Sequence, residues 1–168
     1  LVRLACCAGL RASEIGGLQV GDVHVGNERP HLRVRAETAK GGKARRVPLW
    51  WDRGTLEDLR EWKAERERQG AGADDAFVCS LNRHTLGVAL NRHVIRRRFH
   101  TACKCLGAQR TGELTVHHGR HTFISHALAG GRTLAEVRDS AGHSNISITS
   151  AYLHIVVEDG DQVGELFG

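Results

Sequence analysis

The apolar positions of this chain follow two periods, and the switch between them divides the sequence. Leu1, Leu4, Ala5 and Ala8 repeat at helical spacing, and Gly9 is expected to end that helix. Ser13 is placed to cap a short second helix running through Leu18. From there the period shortens. Asp22 to Val25, His31 to Arg35 and Ala44 to Leu49 read as strands, and Leu32 and Val34 alternating with Arg33 and Arg35 mark a half-buried sheet. Lys40-Gly41-Gly42-Lys43 supplies the glycine for a tight hairpin between the last two strands.

After Pro48 the helical period returns. Leu56, Leu59 and Trp62 make a narrow apolar stripe on a charged helix ending near Gly70, followed by a polar loop to Asp75. A long basic helix is expected from Leu86 to Leu106, carrying Arg92, Arg96, Arg97 and Arg98. A looser stretch from Gly107 to Leu114 leads into a helix from Val116 to Ala129, stopped by Gly130-Gly131. Thr133 and Glu136 form a capping box for a short helix ending at Gly142. A further helix is expected to carry Tyr152, and Val163, Leu166 and Phe167 give the tail an apolar patch. The pattern predicts a mainly α domain with a small antiparallel β-sheet near its start, an α+β fold.

Composition narrows the function. At 168 residues, the chain fits one domain with a real core. It contains no methionine and starts at Leu1 inside an apolar pattern, as expected for an excerpt of a longer protein. No apolar run approaches the ~20 residues needed to span a membrane. A net charge of +5, from 24 Lys+Arg against 19 Asp+Glu, suits a polyanionic partner but is weak evidence alone. The five cysteines read better as thiols in a reducing, cytoplasmic compartment than as disulfides. No Cys-x-x-Cys pair occurs, and no histidine pair stands beside a plausible cysteine pair, so no metal is expected.

Four local signatures carry the chemistry. They are Gly9-Leu10-Arg11-Ala12-Ser13-Glu14; the hairpin Lys40-Gly41-Gly42-Lys43-Ala44-Arg45-Arg46-Val47-Pro48-Leu49; His117-His118-Gly119-Arg120-His121-Thr122-Phe123; and Ala141-Gly142-His143, followed nine residues later by Tyr152 within Tyr152-Leu153-His154. Glu14 can reach back to Arg11, and His117 and Arg120 share a helix face. Taken singly, each has an ordinary reading: a helix-end ion pair, a solvated turn, surface residues, a cap, a core aromatic. The run of arginines at 92–98 is by itself a solvated helix face. Four ordinary readings in this order are hard to sustain together.

The ordered set resembles the tyrosine recombinases, which include the phage integrases, across essentially the whole chain. The resemblance implies a C-terminal catalytic domain spanning residues 1–168, with the family's N-terminal DNA-clamping domain outside this excerpt. It places the catalytic set on Arg11, Lys40, His117, Arg120, His143 and Tyr152. Gly119 and Ala141 stand where the family usually has leucine.

The implied reaction is DNA strand breakage and rejoining through a covalent 3′-phosphotyrosine at Tyr152. Arg11 and Arg120 would grip the phosphate with paired guanidinium hydrogen bonds, and His143 would add a third donor. Either Lys40 or His117 would move protons, with His117 better placed to accept from Tyr152 and Lys40 to donate to the 5′ oxygen. Arginines would carry the charge stabilisation, so neither metal nor other cofactor is implied. Lys43, Arg92, Arg96 and Arg97 become candidate backbone contacts to double-stranded DNA. The full-length protein would act as a homotetramer on paired sites, without a membrane. A type IB topoisomerase-like enzyme and an inactive DNA-binding remnant of a mobile element are the alternatives.

Overall fold

The computed structural model describes residues 1–26, 28–107, 111–112 and 114–153. Two short helices open the chain, α1 (Val2–Cys6) and α2 (Ala12–Gly16). A three-stranded antiparallel sheet follows: β1 (Val23–His24), β2 (His31–Val34) and β3 (Arg45–Pro48), in that order. The rest is helical: α3 (Arg53–Arg68), α4 (Arg92–Cys103), α5 (Val116–Ala129), α6 (Leu134–Ala141) and α7 (Ile146–Ser150). The expected fold class, mainly α with a small antiparallel sheet, is the one observed.

The buried side chains form two groups. One joins α1, α2, the sheet, α3 and α4 through Leu4, Leu10, Leu32, Val47, Leu59, Ile95 and others. The second lies under α5 and α6, with Trp51, Phe123, Ile124 and Val137 at its centre and Tyr152 packed against it. Of the α3 stripe, Leu59 is buried while Leu56 and Trp62 are half-buried. Trp62 donates its indole N–H to the Phe77 carbonyl (2.7 Å), and Lys63 reaches the Val23 carbonyl (2.8 Å), so α3 lies beside the sheet.

Several expected boundaries move, each for a local reason. Arg11, not Ser13, caps α2: the Glu14 carboxylate accepts from the Arg11 backbone N–H (2.8 Å), and the helix ends at Gly16 instead of Leu18. β1 begins at Val23 because Asp22 closes a 3₁₀ turn, accepting from Gln19 N–H while pairing with Arg33 and Arg35. That pull on Arg35, which also donates to the Gly17 carbonyl, ends the β2–β3 ladder at Val34↔Arg45. Residues 35–44 therefore form a broad loop instead of a tight hairpin, and Gly41 and Gly42 take φ of 91° and 68° at its tip.

The basic helix is shorter than its pattern. Asn91 caps α4 by accepting from His93 and Val94 N–H, and the chain before it folds back through Ser80 N–H to the Val88 carbonyl. Tyr152 lies in the turn just after α7, not within it, and its N–H donates to the Thr149 carbonyl (3.1 Å). The apolar tail at Val163, Leu166 and Phe167 lies outside the described residues.

Candidate active site

The site is built around one buried carboxylate. Glu14, 2% exposed, enters α2 and accepts from both the backbone and the guanidinium of Arg11 (2.8 and 3.0 Å). From β3, Arg45 meets the same carboxylate with two parallel hydrogen bonds of 2.7 and 2.9 Å. Arg45 also donates from Nε to the Ser140 carbonyl (2.8 Å), tying the sheet to the end of α6. Burial pushes the Glu14 carboxyl up, but Arg45 and then Arg11 outweigh it and hold it below the usual range.

Arg120, 1% exposed, points from α5 into the same region. Its guanidinium donates to the Gly9 carbonyl (2.6 Å) and to the Ala141 carbonyl. Gly9 makes this approach possible: its φ is +62°, and a Cβ there would run into the Phe123 ring. Ala141 thus holds Arg120 through its backbone, a role that does not require the leucine usual in the resembling family. Burial, then repulsion from Arg11 and Arg45, pushes Arg120 down to about 9, so it stays cationic at neutral pH.

His143 follows Gly142, whose left-handed φ of +66° ends α6 and turns the chain into the site. His143 Nδ1 lies 2.9 Å from the Thr149 hydroxyl. Burial first, then Arg120, Arg11 and Arg45, pushes this imidazole down to about 4. His117 is lowered in the same way, by burial and then by Arg120 and Arg11. Two guanidiniums therefore share one carboxylate with a third, Arg120, within its electrostatic reach, and His143 and His117 are held neutral first by burial and then by the surrounding arginines.

The tyrosine contact differs from the sequence expectation. Tyr152 Oη lies 2.5 Å from Nδ1 of His121, and His117 stands one ring behind, edge to face with His121 at 4.5 Å. His121 was not among the expected site residues. The available signal was its spacing of four from His117, which puts both rings on one face of α5. Burial raises the Tyr152 phenol above its usual range, while Arg120 pulls the other way.

Gly119 is where α5 crosses closely against α1. A Cβ there would lie 2.9 Å from Cys6 Sγ, 3.1 Å from Ala5 Cβ and 3.3 Å from the Phe99 ring. The space that a leucine would fill is taken by α1 and Phe99.

Two clefts flank the site. One, about 660 Å³, is lined by Arg11, His117 and Arg120 together with Arg92, Arg96 and Arg97 of α4. The other, about 410 Å³, joins Lys40 and Lys43 of the 35–44 loop to Arg45 and His143. Lys40 itself is exposed. Five of the six expected catalytic positions, all but Tyr152, and the four expected DNA-contacting residues line these two clefts. Arg98 faces a different, larger groove of about 1080 Å³ beside α1 and α3, which contains none of the ten.

Comparison with known proteins identifies the family and the fold. The Phage integrase family profile matches residues 1–158. Tyrosine recombinase XerC of Corynebacterium efficiens is 30% identical over 155 residues, covering 92% of this chain and 45% of the relative. The crystal structure of XerA recombinase superposes with a TM-score of 0.70 at 24% identity, covering 90% of this chain and 50% of that one. XerH site-specific recombinase, in a post-cleavage complex with its palindromic difH substrate, matches with a TM-score of 0.69 at 21% identity over 98% of this chain and 44% of that one. The chain spans about half the length of the curated relatives it matches. By its profile and its relatives, the chain belongs to the phage integrase family, the tyrosine recombinases.

Proposed function

We propose that this chain is the catalytic domain of a site-specific recombinase that cuts and rejoins DNA through a 3′-phosphotyrosine at Tyr152. The observation that carries the reading is the charge imbalance at the site. Arg11 and Arg45 share a single buried carboxylate with Arg120 in electrostatic reach, and Arg120 and His143 are both pushed down, by burial first and then by the neighbouring arginines. A phosphodiester entering the cleft would relieve it. Removing one such preorganised donor typically costs about 2.7–4 kcal/mol of transition-state stabilisation.

In this reading Arg11 and Arg120 hold the non-bridging oxygens of the scissile phosphate, and His143 adds a third donor from the neighbouring cleft. His117 lies on the face shared with Arg120, beside the nucleophile's partner. Lys40, on an exposed glycine loop, protonates the departing 5′ oxygen once DNA closes the loop over the cleft. Arg92, Arg96 and Arg97 line the same cleft as Arg11 and Arg120 and extend the grip along the duplex backbone, with Lys43 on the other side. Such contacts position DNA without reading its sequence. The full-length protein assembles as a tetramer on paired sites.

A non-catalytic remnant that kept the fold is the competing reading, and Gly119, where the family usually has leucine, is the residue that speaks for it. The filling of that space by Cys6, Ala5 and Phe99 favours matched packing over decay. The deciding experiment is trapping. The chain is incubated with nicked duplexes drawn from DNA flanking its coding sequence, then run on a denaturing gel. A covalent protein–DNA band supports the enzyme; binding without any band supports the remnant.

A further inference from the structure

The phenol of a nucleophilic tyrosine must lose its proton as it attacks, and the acceptor has to touch the oxygen at that moment. In this chain the ring that touches it is His121, with Nδ1 2.5 Å from Tyr152 Oη and ring centroids 5.4 Å apart. The two are 31 residues apart in sequence and come from different elements, α5 and the turn after α7. The pairing is therefore made by the tertiary fold, not by local geometry.

We infer that His121 is a further catalytic residue of this chain, the proton acceptor for Tyr152. The inference rests on the proposed DNA-cleaving reading and adds to it the identity of the base. Tyr152 Oη bonds to the scissile phosphorus and the phenolic proton passes to His121 Nδ1. The phosphorus–O5′ bond breaks with its electron pair on O5′, which takes a proton from Lys40. His121 leaves the step as an imidazolium and returns the proton when the phosphotyrosine is resealed.

Three features of the surroundings suit this role. The tautomer carrying its proton on Nε2 leaves Nδ1 free to accept. The groups facing the ring are His117 and His118 of its own helix, Arg120 beside it, and Tyr152 from the turn after α7. Burial, then His117, His118 and Arg120, lower the basicity of His121, so the ring is neutral and able to accept at pH 7. Tyr152 also lies within electrostatic reach of Arg120, so the bonded hydroxyl is already beside a phosphate-gripping group.

The test uses His121→Gln and His121→Phe, the first keeping a polar side chain and the second a ring. The first measurement needs no activity. Tyr152 is the only tyrosine, so isotopically labelled tyrosine gives one ring resonance. It should shift as His121 titrates below pH 6.5 in the wild type, and this step should be absent in both variants. The second is the single-turnover rate of covalent adduct formation against pH.

The wild-type rate should fall as pH drops below 6.5, because the protonated ring cannot accept. Both variants should lose that limb and run slower by ~10²–10⁴-fold, with noncovalent DNA affinity unchanged. A variant that cleaves at the wild-type rate with the wild-type pH profile overturns the inference. So does one that cleaves faster, which would make the contact a resting place for the tyrosine. A His117→Gln variant that alone removes the pH limb assigns the base to His117 instead. A wild-type chain that forms no adduct on any substrate overturns the cleavage reading itself, and the catalytic role of His121 with it, even if the resonance still reports the contact.

Discussion

The two halves of the site are held in different ways. The arginine half is fastened from several sides. Glu14 and Arg120 are almost fully buried, Arg45 bridges α2, β3 and α6, and Arg120 is anchored by two backbone carbonyls from segments distant in sequence. The reactive half is lightly held. Lys40 is exposed on a loop beyond the last β2–β3 pair, and Tyr152 sits in a turn after a five-residue helix, with its hydroxyl on one histidine. A cradle for a dianionic transition state gains from being rigid before substrate arrives, because no reorganisation is then needed at the moment of reaction. In the proposed reaction the nucleophile and the acid must approach and leave the DNA, which suits positions that the fold holds lightly.

This contrast predicts that mutations in the reactive half remove chemistry and leave the fold, while mutations in the cradle damage both. The largest effect belongs to Tyr152→Phe, which should abolish covalent attachment with DNA affinity and thermal midpoint almost unchanged. An adduct formed by this variant would place the nucleophile elsewhere.

Lys40→Ala comes next, slowing cleavage of ordinary DNA by ~10²–10⁴-fold. Replacing the leaving 5′ oxygen by sulfur should restore this variant substantially, since a thiolate departs without a proton. Arg11→Ala should stay impaired on the same substrate. Sulfur rescue of neither variant would mean that Lys40 acts through phosphate contact instead.

Glu14→Ala should cost about 3–5 kcal/mol of stability, because it leaves Arg45 buried without its counter-ion. Denaturant unfolding measures this, and a loss comparable to that of Lys40→Ala would break the contrast. The depressed Glu14 carboxyl also contributes stability above the ordinary carboxylate range, which is lost as pH falls through its folded value. His143 adds to the acid loss, since it is neutral when folded and takes up a proton when unfolded between pH 6.5 and about 4.

Gly119→Leu, a change toward the residue usual in the family, should destabilise this protein by about 1–3 kcal/mol through overpacking against Cys6 and Phe99. Pairing it with Cys6→Ala should recover part of the loss. A stabilised single variant would show that α1 yields more easily than its packing suggests.

Local rules located most elements and failed where a distant partner intervened. The helix at Val116–Ala129 was legible to the residue because its apolar period and its Gly130-Gly131 stop are both local signals. The hairpin was not, because its ladder ends where Arg35 turns toward Asp22 and Gly17. The sequence placed Arg45 in the hairpin signature but gave it no role, and only the fold brings it to a carboxylate 31 residues earlier.

The ordering of Arg11, Lys40, His117, Arg120, His143 and Tyr152 along the chain was enough to name the family, since short motifs in a set order carry information that needs no coordinates. What they touch was decided by tertiary structure alone. The His121–Tyr152 bond, the sharing of Glu14 by two arginines and the fit of Gly119 against α1 each join segments that no local periodicity relates. Periodicity reports which face of an element is apolar; it does not report which other element will cover that face, and the site lies where those coverings meet.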